Sequence, residues 1–437
     1  MQQDDAAQVG GARFSGSRAE VGIIGAGPAG LAAALGARAD GAETVVVVDR
    51  LPGYSRSRSV ILDREVLMLL EEWGVSLDGI SPADTFTYVH GYGGTQHAES
   101  MPFPRFDPGR RAHKDRVEPR PNDILFNRLP AAVLRIRDLE QAMLAEARRQ
   151  GIEVHFDAFV SGKPAIRPDS VRLEYDDNDG RKAIDCDYLV IADGSRSPVN
   201  QMLGNDRIPC EMRSHRYTCS VLESSRRDVL LFWVPRHPSG ITEITGLGNG
   251  AQYTLVSRLP ASFADSISTD AGRSRLAAMI AQAAESIGIK GSIVDGPMPF
   301  STEMDRLEEV AIHRRVLCVG DAARKGDPGF GGNLNEAIRD GRRFGAYFNR
   351  ASGDQAAADA ALHEFRVEVQ GATTALQTGG ALTNNLRDFF AFGDAAQSVL
   401  PEPVRSILHF DVGVMMKATG TIINLLNSSV RSNQGKR

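Results

Sequence analysis

Residues 20–50, EVGIIGAGPAGLAAALGARADGAETVVVVDR, decide the fold. An apolar run ends at Gly25, glycines recur in the pattern Gly25-x-Gly27-x-x-Gly30, an alanine-rich segment follows, and a second apolar run ends at Asp49. This order predicts a strand, a glycine turn, a helix and a second strand, which together form a βαβ unit. Glycines open many turns, but this whole sequence of features is specific for dinucleotide binding.

Each part of the βαβ unit has a physical task. Gly25 permits the tight turn, Gly27 lets a pyrophosphate approach the backbone, and Gly30 lets the helix pack close to the strand. The free N–H groups of the helix N-terminus face the phosphates, and the Asp49 carboxylate can accept hydrogen bonds from a ribose diol. The predicted nucleotide site also includes the neighbouring Ala29 and Arg50.

Composition limits the classes of protein to consider. The chain has 437 residues, enough for two or three units that share a large core. A hydrophobic content of 42% and a charged content of 24% predict a folded protein, with disorder confined to an N-terminal tail at residues 1–18 and to the last few residues. The net charge of −5 argues against nucleic-acid binding by the chain as a whole, so we expect a small-molecule partner.

The cysteines and the apolar segments bear on location. Four cysteines lie at positions without any CxxC pair, which argues against a zinc site or a disulfide scaffold and predicts reduced core thiols. No metal site is predicted. The apolar stretch at residues 412–426 is interrupted by Lys417 and is too short to span a bilayer, and no signal peptide opens the chain. We therefore expect a cytoplasmic protein with no membrane span.

Two further strands are predicted to end in an aspartate beside a glycine. Residues 187–199, DYLVIADGSRSPV, place Asp193-Gly194 after an apolar run, and residues 316–323, VLCVGDAA, place Gly320-Asp321 after another. With the first unit, these motifs resemble the class A FAD-dependent monooxygenases of the p-hydroxybenzoate hydroxylase-like superfamily, which also includes flavin halogenases and geranylgeranyl reductases. The resemblance covers about residues 20 to 350 and depends on the order of three separated motifs.

The resemblance implies roles for particular residues. The glycine turn would line the FAD pyrophosphate, Asp49 would hold the adenosine ribose, and Asp321 would meet the ribityl chain or the pyrophosphate. Asp193-Gly194 would serve a structural role or contact both FAD and nicotinamide. Arg56 and Arg58 would contact the phosphates or the adenosine of the cofactor, and Arg137 would contact the flavin. Periodicity alone leaves Arg137 equally well placed as an ordinary residue of a helix N-terminus.

The segment after the GD motif is expected to hold the flavin ring. A helix starting near residues 333–335 would direct its free N–H groups at the pyrimidine end of the ring. The residues assigned to this part of the site are Gly320, Asp321, Pro328, Gly331, Gly332, Asn333 and Leu334. The family pattern has histidine where this chain has Arg324, and its glycines are spaced differently. These departures make the details of oxygen activation less predictable, but they leave flavin binding as the expectation.

The predicted architecture is an α/β fold. A Rossmann-like FAD-binding domain would be discontinuous, with an inserted antiparallel-sheet substrate domain and C-terminal helices. The FAD-binding domain is assigned to 19–80, 125–205 and 295–350, the substrate domain to 81–124 and 206–294, and the helical region to 355–437. The 81–124 insert is rich in Gly, Pro, His and Arg and is predicted to be a long loop with short strands.

Candidate substrate residues are few. Trp233 and Tyr217 lie on predicted strands that could face the ring, although a buried aromatic residue on a strand is more often part of a core. His90 and His97 could act as acid–base groups, although histidines in a glycine-rich loop are more often surface residues. No catalytic residue is assigned from the sequence.

The leading functional prediction is an FAD-dependent monooxygenase that uses NAD(P)H and O2 to hydroxylate or epoxidise an aromatic or polyketide-like compound, in secondary metabolism. Because the sequence has no second glycine fingerprint, NADPH or NADH would bind transiently, or a separate flavin reductase would supply electrons. One alternative is a biosynthetic cyclase or isomerase that uses FAD without net redox chemistry. Another is a reductase or halogenase of the same superfamily, although the halogenase signature W-x-W-x-I-P is absent and the chain's tryptophans are Trp73 and Trp233.

Overall fold

The structure is a computed structural model of the whole chain. It describes the following residues: 18–76, 85–92, 95–102, 130–210, 216–233, 241, 243–259, 269–301, 303–326, 332–351 and 355–397. Residues 1–17 of the predicted tail at 1–18, and residues 398–437 of the predicted helical region, therefore lie outside the described residues.

A nine-stranded sheet forms the centre of the molecule. Its strands are β1 (Arg18–Ile24), β2 (Val45–Val48), β7 (Glu153–His155), β8 (Phe159–Val160), β9 (Ala165–Ile166), β10 (Val171–Asp177), β11 (Gly180–Ile191), β19 (Ala311–His313) and β20 (Val316–Cys318). The main path has the order β19-β20-β11-β1-β2-β7, in which β20, β11, β1, β2 and β7 are parallel. β1 is therefore covered on both edges, and its residues are almost all buried, as parallel strands require.

The three sequence motifs meet at one edge of this sheet. β1 runs into Gly25, β2 into Asp49, β11 into Asp193 and β20 into Asp321, each just past the carboxyl end of its strand. Parallel strands place all their carboxyl ends at the same edge, and ligands of open α/β sheets bind in the crevice outside that edge. The topology thus brings together residues that are far apart in the sequence.

Helices cover the central sheet. The described helices are α1 (Pro28–Ala39), α2 (Arg64–Glu72), α3 (Ile136–Arg149), α4 (Pro198–Leu203), α5 (Asp270–Ser286), α6 (Gly332–Ala351) and α7 (Gln355–Gln397), with a 3-10 turn at Gly320–Ala322. α1 begins with Pro28, which suits a first helical position because its missing N–H would have no partner there. Among the described helices, none has a stretch both long and apolar enough to cross a bilayer.

A second sheet of seven strands, here named the roof sheet, lies over the same edge. Its strands are β4 (Thr85–Tyr92), β5 (Thr95–Pro102), β13 (Arg216–Glu223), β14 (Asp228–Trp233), β15 (Glu243–Gly248), β16 (Gln252–Arg258) and β17 (Ile293–Ser301), in the order β17-β13-β16-β15-β14-β4-β5. One face of the roof sheet packs on α5 through a separate apolar cluster that includes Tyr253, Leu276 and Ile280. The other face is directed to the carboxyl edge of the central sheet.

The strands β4 and β5 differ from the predicted long loop. Each contains eight residues, and β4 pairs in parallel with β14, so that Trp233 stands beside His90 in the register. The prediction of short strands in a loop was therefore incomplete, because the pairing joins segments that are more than a hundred residues apart. Local sequence patterns carry little information about such a long-range pairing.

Two small sheets connect the larger ones. β3 (Ser59–Asp63) pairs with β6 (Pro130–Arg135), and β12 (Arg207–Pro209), β18 (Asp305–Leu307) and β21 (Arg324–Lys325) form a three-stranded sheet. The Ser59 N–H donates to the Thr254 hydroxyl at 2.6 Å, which fixes β3 against the roof sheet. The four cysteines are not paired in the structure, and three of them, Cys186, Cys219 and Cys318, are buried, whereas Cys210 is half-buried.

Candidate functional site

A cavity of about 790 Å³ lies between the carboxyl edge of the central sheet and the roof sheet. Its walls include the glycine turn after β1, the ends of β2 and β11, the first turn of α6, and one face of β13, β15, β16 and β17. This volume is in the range of cofactor and ligand sites. The cavity is the candidate site.

The glycine turn has no space for side chains on its packed side. Gly25 has a φ of +104°, and a Cβ atom there would lie 2.4 Å from the Ala192 carbonyl oxygen. A Cβ on Gly30 would lie 1.8 Å from the Gly25 carbonyl oxygen. Gly27 differs, since the nearest atom to its hypothetical Cβ is an Arg56 side-chain nitrogen at 4.0 Å. The turn is therefore closed towards the sheet and open towards the cavity, as a phosphate cradle needs.

Asp49 holds the glycine turn and also lines the cavity. Its Oδ2 accepts from the Ala26 N–H at 2.6 Å, and its Oδ1 accepts from the Leu51 N–H at 2.8 Å. The Tyr54 hydroxyl donates to the Ala26 carbonyl at 2.7 Å from the other side. Each carboxylate oxygen has a second lone pair, so ribose binding by Asp49 is compatible with these contacts and stays a prediction.

Asp193 contributes a carboxylate without a partner. Both of its oxygens are buried, and neither has a hydrogen-bond partner among the residues that the structure describes. Asp193 lines the cavity, and burial raises the pKa of its carboxyl, while the Ser197 hydroxyl, the backbone N–H groups of Asp193 and Val199, and the Arg50 guanidinium oppose this only in part. A buried carboxylate without a donor is costly, and it points to a donor that arrives with a ligand.

We expect the D193N substitution to stabilise the protein in the absence of cofactor. Because the pKa of this carboxyl in the folded state is raised above its ordinary value of 3.8, the folded state binds the proton more tightly than the unfolded state does. The free energy of unfolding therefore falls as the pH rises from the ordinary pKa through the raised one. Asparagine removes that loss, so the melting temperature of the variant should exceed that of the wild type at pH 7, with a difference that shrinks towards pH 4. The control D187N alters a partly exposed carboxylate that pairs with the exposed Arg18, and it should change little. A constant difference at all pH values would contradict the argument.

Asp321 is surrounded by arginines. It lines the cavity, and its side chain is open to the cavity while protein atoms enclose it on other sides. This enclosure raises the pKa of its carboxyl, and the guanidinium groups of Arg324 and Arg58 oppose the rise. Arg56 and Arg58 both line the cavity, as the sequence predicted for phosphate contacts. Whether they bind phosphate stays a prediction.

The charges that line the cavity suit an anion. Among the described residues, five cationic side chains face four carboxylates. The cations are Arg50, Arg56, Arg58, Arg196 and Lys325, and the carboxylates are those of Asp49, Glu140, Asp193 and Asp321. A pyrophosphate placed near the glycine turn would meet both the helix N-terminus and guanidinium groups, which are good phosphate partners.

The first turn of α6 lines the end of the cavity where the flavin ring is predicted to lie. Asn333 and Leu334 line it, and the Asn333 amide donates to the Gly326 carbonyl at 2.8 Å. Gly320 and Gly332 do not line it. The assigned Pro328 and Gly331 lie outside the described residues.

Arg324, where the family has histidine, points away from the cavity into the protein. Both Nη groups of its guanidinium donate hydrogen bonds to the Asp340 carboxylate, at 2.8 and 3.1 Å, and the side chain is only 3% exposed. Asp340 also accepts from the Gly320 N–H at 2.8 Å. The departure from the family pattern is thus a buried ion pair that fixes the start of the GD motif.

Helix α3 lines the cavity through a face that does not include Arg137. Ile136 and Glu140, one turn apart, line the cavity, whereas Arg137 is not among the lining residues. The structure therefore does not bring Arg137 together with the other assigned residues. Glu140 was missed by the sequence reasoning, although an acidic residue inside the apolar stripe that includes Leu139 and Met143 was a usable signal.

The roof sheet supplies a mostly apolar wall. Its lining residues are Cys219, Thr245, Leu247, Thr254, Val256, Pro299 and Phe300. Of the two predicted aromatic candidates, Tyr217 does not line the cavity: its ring stacks on Phe300 with ring centroids 5.8 Å apart, and its hydroxyl donates to Glu243 at 3.0 Å. The side chains of Trp233, His90 and His97 lie outside the described part of the chain.

The arrangement fits FAD on its own features. The open glycine turn, the free N-terminus of α1 and the basic lining suit a pyrophosphate. Both oxygens of Asp193 and the Oε2 atom of Glu140 have no hydrogen-bond partner among the described residues, and an apolar wall lies opposite. Of the assigned residues, twelve line the cavity: Gly25, Gly27, Ala29, Asp49, Arg50, Arg56, Arg58, Asp193, Gly194, Asp321, Asn333 and Leu334. Gly30 instead lies behind the turn, where its lack of a side chain lets α1 approach.

Solved structures of the same fold are flavoenzymes. The p-nitrophenol 4-monooxygenase PnpA from Pseudomonas putida DLL-E4 superposes with a TM-score of 0.66 at 16% identity, over 95% of this chain and 98% of that one. The flavin-dependent halogenase CmlS gives a TM-score of 0.66 at 18% identity, over 82% of this chain but 63% of its own length, so this chain spans less than two thirds of that protein. Aklavinone-11 hydroxylase, solved with FAD and aklavinone, gives a TM-score of 0.60 at 20% identity, over 82% of this chain and 68% of that one.

Sequence comparison gives the family. No curated protein sequence matches the chain. A family profile described as FAD binding domain matches residues 18–368, which is most of the chain and includes all three motifs. The resemblance and the cofactor predicted from the motifs are thereby confirmed: this chain belongs to the FAD binding domain family.

Proposed function

We propose that this protein is an FAD-dependent monooxygenase, which uses NADPH or NADH and O2 to hydroxylate or epoxidise an aromatic or polyketide-like small molecule. Its membership of the FAD-binding family and its flavoenzyme fold support the broader class of flavin-dependent oxidoreductase. The substrate class, the electron donor and a place in secondary metabolism belong to the proposal.

The observation that carries the proposal is the continuity of the cavity. At one end lie Gly27 and Asp49, with cationic side chains beside them, and at the other lie Leu247, Val256 and Phe300 of the roof sheet. A dinucleotide held at the polar end would extend towards Asp321 and the start of α6, which leaves the apolar roof to face a second molecule. This is the arrangement that a flavin and an apolar aromatic substrate require.

Bound FAD would supply electron transfer and O2 chemistry, and the chain would supply binding, orientation and exclusion of water. The N-terminus of α6 would direct backbone N–H groups and its positive dipole end towards the ring. The roof residues would pack against an apolar substrate and keep water from the reacting atoms. The Thr245 and Thr254 hydroxyls line the roof end, and Thr254 already accepts from the Ser59 N–H, so Thr245 is the hydroxyl we propose to orient a substrate oxygen.

The neighbouring structures support this choice. PnpA is named for oxygenation of p-nitrophenol and covers nearly the same length as this chain, and aklavinone-11 hydroxylase was solved with both FAD and aklavinone. At these identities the likeness gives the fold, and the substrate class follows only by analogy.

Stopped-flow absorbance tests the proposal. The FAD-loaded protein is mixed anaerobically with NADPH or with NADH, in the presence and absence of a panel of phenols and quinones, and is then exposed to O2. We expect the visible flavin absorbance to bleach, faster with one ligand than without, and to recover with O2 consumption and an oxygenated product. A T245V variant should retain bleaching by the nicotinamide and lose much of its preference among hydroxylated ligands.

Other outcomes would favour the alternatives. A flavin that stays oxidised with either nicotinamide, but bleaches with an added flavin reductase, would replace direct reduction by a separate electron donor. Turnover of a candidate substrate without O2 or reductant would contradict the proposal and favour a cyclase or isomerase. Halide-dependent product formation would favour a halogenase, the class of CmlS.

A further inference from the structure

Glu140 is a buried acid in the wall of the cavity. Its side chain is 0% exposed, and one carboxylate oxygen, Oε1, pairs with the Arg56 guanidinium. The other oxygen, Oε2, is buried and has no hydrogen-bond partner among the described residues. A carboxylate buried in this way is costly unless further donors complete its hydrogen bonds.

Arg56 connects Glu140 to the glycine turn. Its side chain is 45% exposed within the cavity wall, and an Nη atom lies 4.0 Å from the point where a Cβ of Gly27 would stand. Gly27 precedes the first residue of α1, where a pyrophosphate would meet free N–H groups. The same Nη atom pairs with Glu140 and lies nearest the glycine turn, so the buried acid holds the guanidinium beside the phosphate position.

We propose that Glu140 is a positioning residue for the cofactor, which holds the Arg56 guanidinium against the FAD pyrophosphate. A long arginine side chain loses considerable rotamer freedom when it is fixed, and a buried carboxylate that fixes it in advance lowers the cost of binding. The oxygen without a partner marks the place where a donor from the bound cofactor completes the pair. This inference depends on FAD binding and not on the oxygenation proposed above.

Helix α3 contributes an acid, and not its arginine Arg137, to the lining of the cavity. Ile136 and Glu140 share the face of α3 that lines the cavity, and Arg137 does not. The positive charge at this wall therefore comes from Arg56 on a different segment, and the helix supplies the acid that orients it. For Arg137 to line the cavity in place of Glu140, helix α3 would have to rotate about its axis.

Equilibrium binding of FAD and of ADP to the apoprotein tests the proposal. Flavin fluorescence measures the binding of FAD, and displacement of FAD measures the binding of ADP. E140Q keeps the size of the side chain but removes its charge, and we expect it to weaken FAD binding about tenfold, the size of one hydrogen bond to a charged group. ADP contains the same pyrophosphate and should lose a similar factor. The exposed Asp138 on the same helix pairs with Arg135, so D138N is the matched control and should bind FAD as the wild type does.

The double variant E140Q/R56Q distinguishes positioning from general structural damage. If Glu140 acts through Arg56, the loss caused by E140Q should be much smaller in the R56Q background than in the wild type. Equal losses in both backgrounds, or wild-type binding by E140Q, would overturn the proposal. If E140Q fails to fold, R56Q alone still decides, because it should weaken FAD and ADP about tenfold, and unchanged binding would overturn it. Failure of oxygenation with normal FAD binding would affect only the proposed function.

Discussion

The D340N substitution is expected to lower the free energy of unfolding by about 3–5 kcal/mol, because it removes the anion from a buried ion pair and leaves the cation. Asp340 is 0% exposed and accepts from both Nη atoms of Arg324, from the Gly320 N–H and from Arg343 at 2.7 Å. Asparagine retains one acceptor oxygen and turns an NH2 group towards guanidinium donors. Urea unfolding of the apoprotein measures the loss.

The same substitution should reduce FAD affinity. Gly320 and Asp321 are adjacent, so a shift of the Gly320 N–H displaces the carboxylate that lines the cavity. Arg343 is charged here, since the carboxylates of Glu336 and Asp340 raise its pKa above the ordinary value by more than burial lowers it. Loss of Asp340 therefore leaves two buried arginines short of negative charge. We expect FAD binding to weaken about tenfold or more, measured on the fraction that remains folded.

Two further variants show whether burial is the cause. E72Q breaks the pair between Glu72 and Arg342, whose side chains are 60% and 55% exposed, and should cost less than about 1 kcal/mol. R324M removes the cation instead and leaves Asp340 with the Gly320 N–H and Arg343, so it should cost less than D340N. A D340N variant as stable as E72Q would contradict the buried-pair argument.

The G341A substitution is expected to separate two helices that touch through their backbones. A Cβ on Gly341 of α6 would lie 2.3 Å from the carbonyl carbon of Ala32 in α1 and 2.4 Å from its oxygen. These are main-chain atoms, which cannot rotate aside, so the helices must move apart. Overpacking of this kind costs about 1–3 kcal/mol, and more where the backbone has to shift.

The effect of G341A should extend to the cofactor. α1 begins at the glycine turn, and α6 begins at the part of the cavity where the flavin is predicted to bind, so the spacing of the two helices sets the distance between these two parts of the cavity. We expect a lower midpoint in urea and weaker FAD binding. The control is G371A in α7, where a Cβ meets nothing within 4 Å and alanine should stabilise the helix by about 0.5–1 kcal/mol. If both substitutions shift the midpoint in the same direction, close helix packing is not the reason for Gly341.

The sequence was informative where the physical requirement is local. The turn at Gly25 and the approach of α1 at Gly30 depend on residues within one βαβ unit, and the structure shows both close contacts. The strands that end at Asp193 and Asp321 were also predicted from short apolar runs, and the parallel topology brings their ends together. A steric requirement that acts within a few residues restricts the residue types at those positions, so it can be recognised in the sequence itself.

The sequence was less informative where a helix or strand must choose a face. On α3 a rotation of 100° per residue separates Arg137 from Ile136, so a pattern that identifies the helix does not identify which arginine or acid reaches the cavity. On the roof sheet, alternation predicts two faces but not which of them is directed to the cavity. Alternation also does not show how far along a strand the cavity extends: Cys219 lines it, whereas Tyr217, two residues earlier on the same face of β13, stacks on Phe300 and does not line it.

By itself the sequence determined the dinucleotide-binding unit, the order of the three motifs, and through them the family and the cofactor, because each depends on glycine sterics and strand ends encoded within short segments. Only the tertiary structure decided that Arg324 pairs with Asp340, that Glu140 rather than Arg137 lines the cavity, and that Gly341 packs on Ala32. These are contacts between segments distant in the chain. Their free energy comes from burial and close packing that exist only once the segments have met.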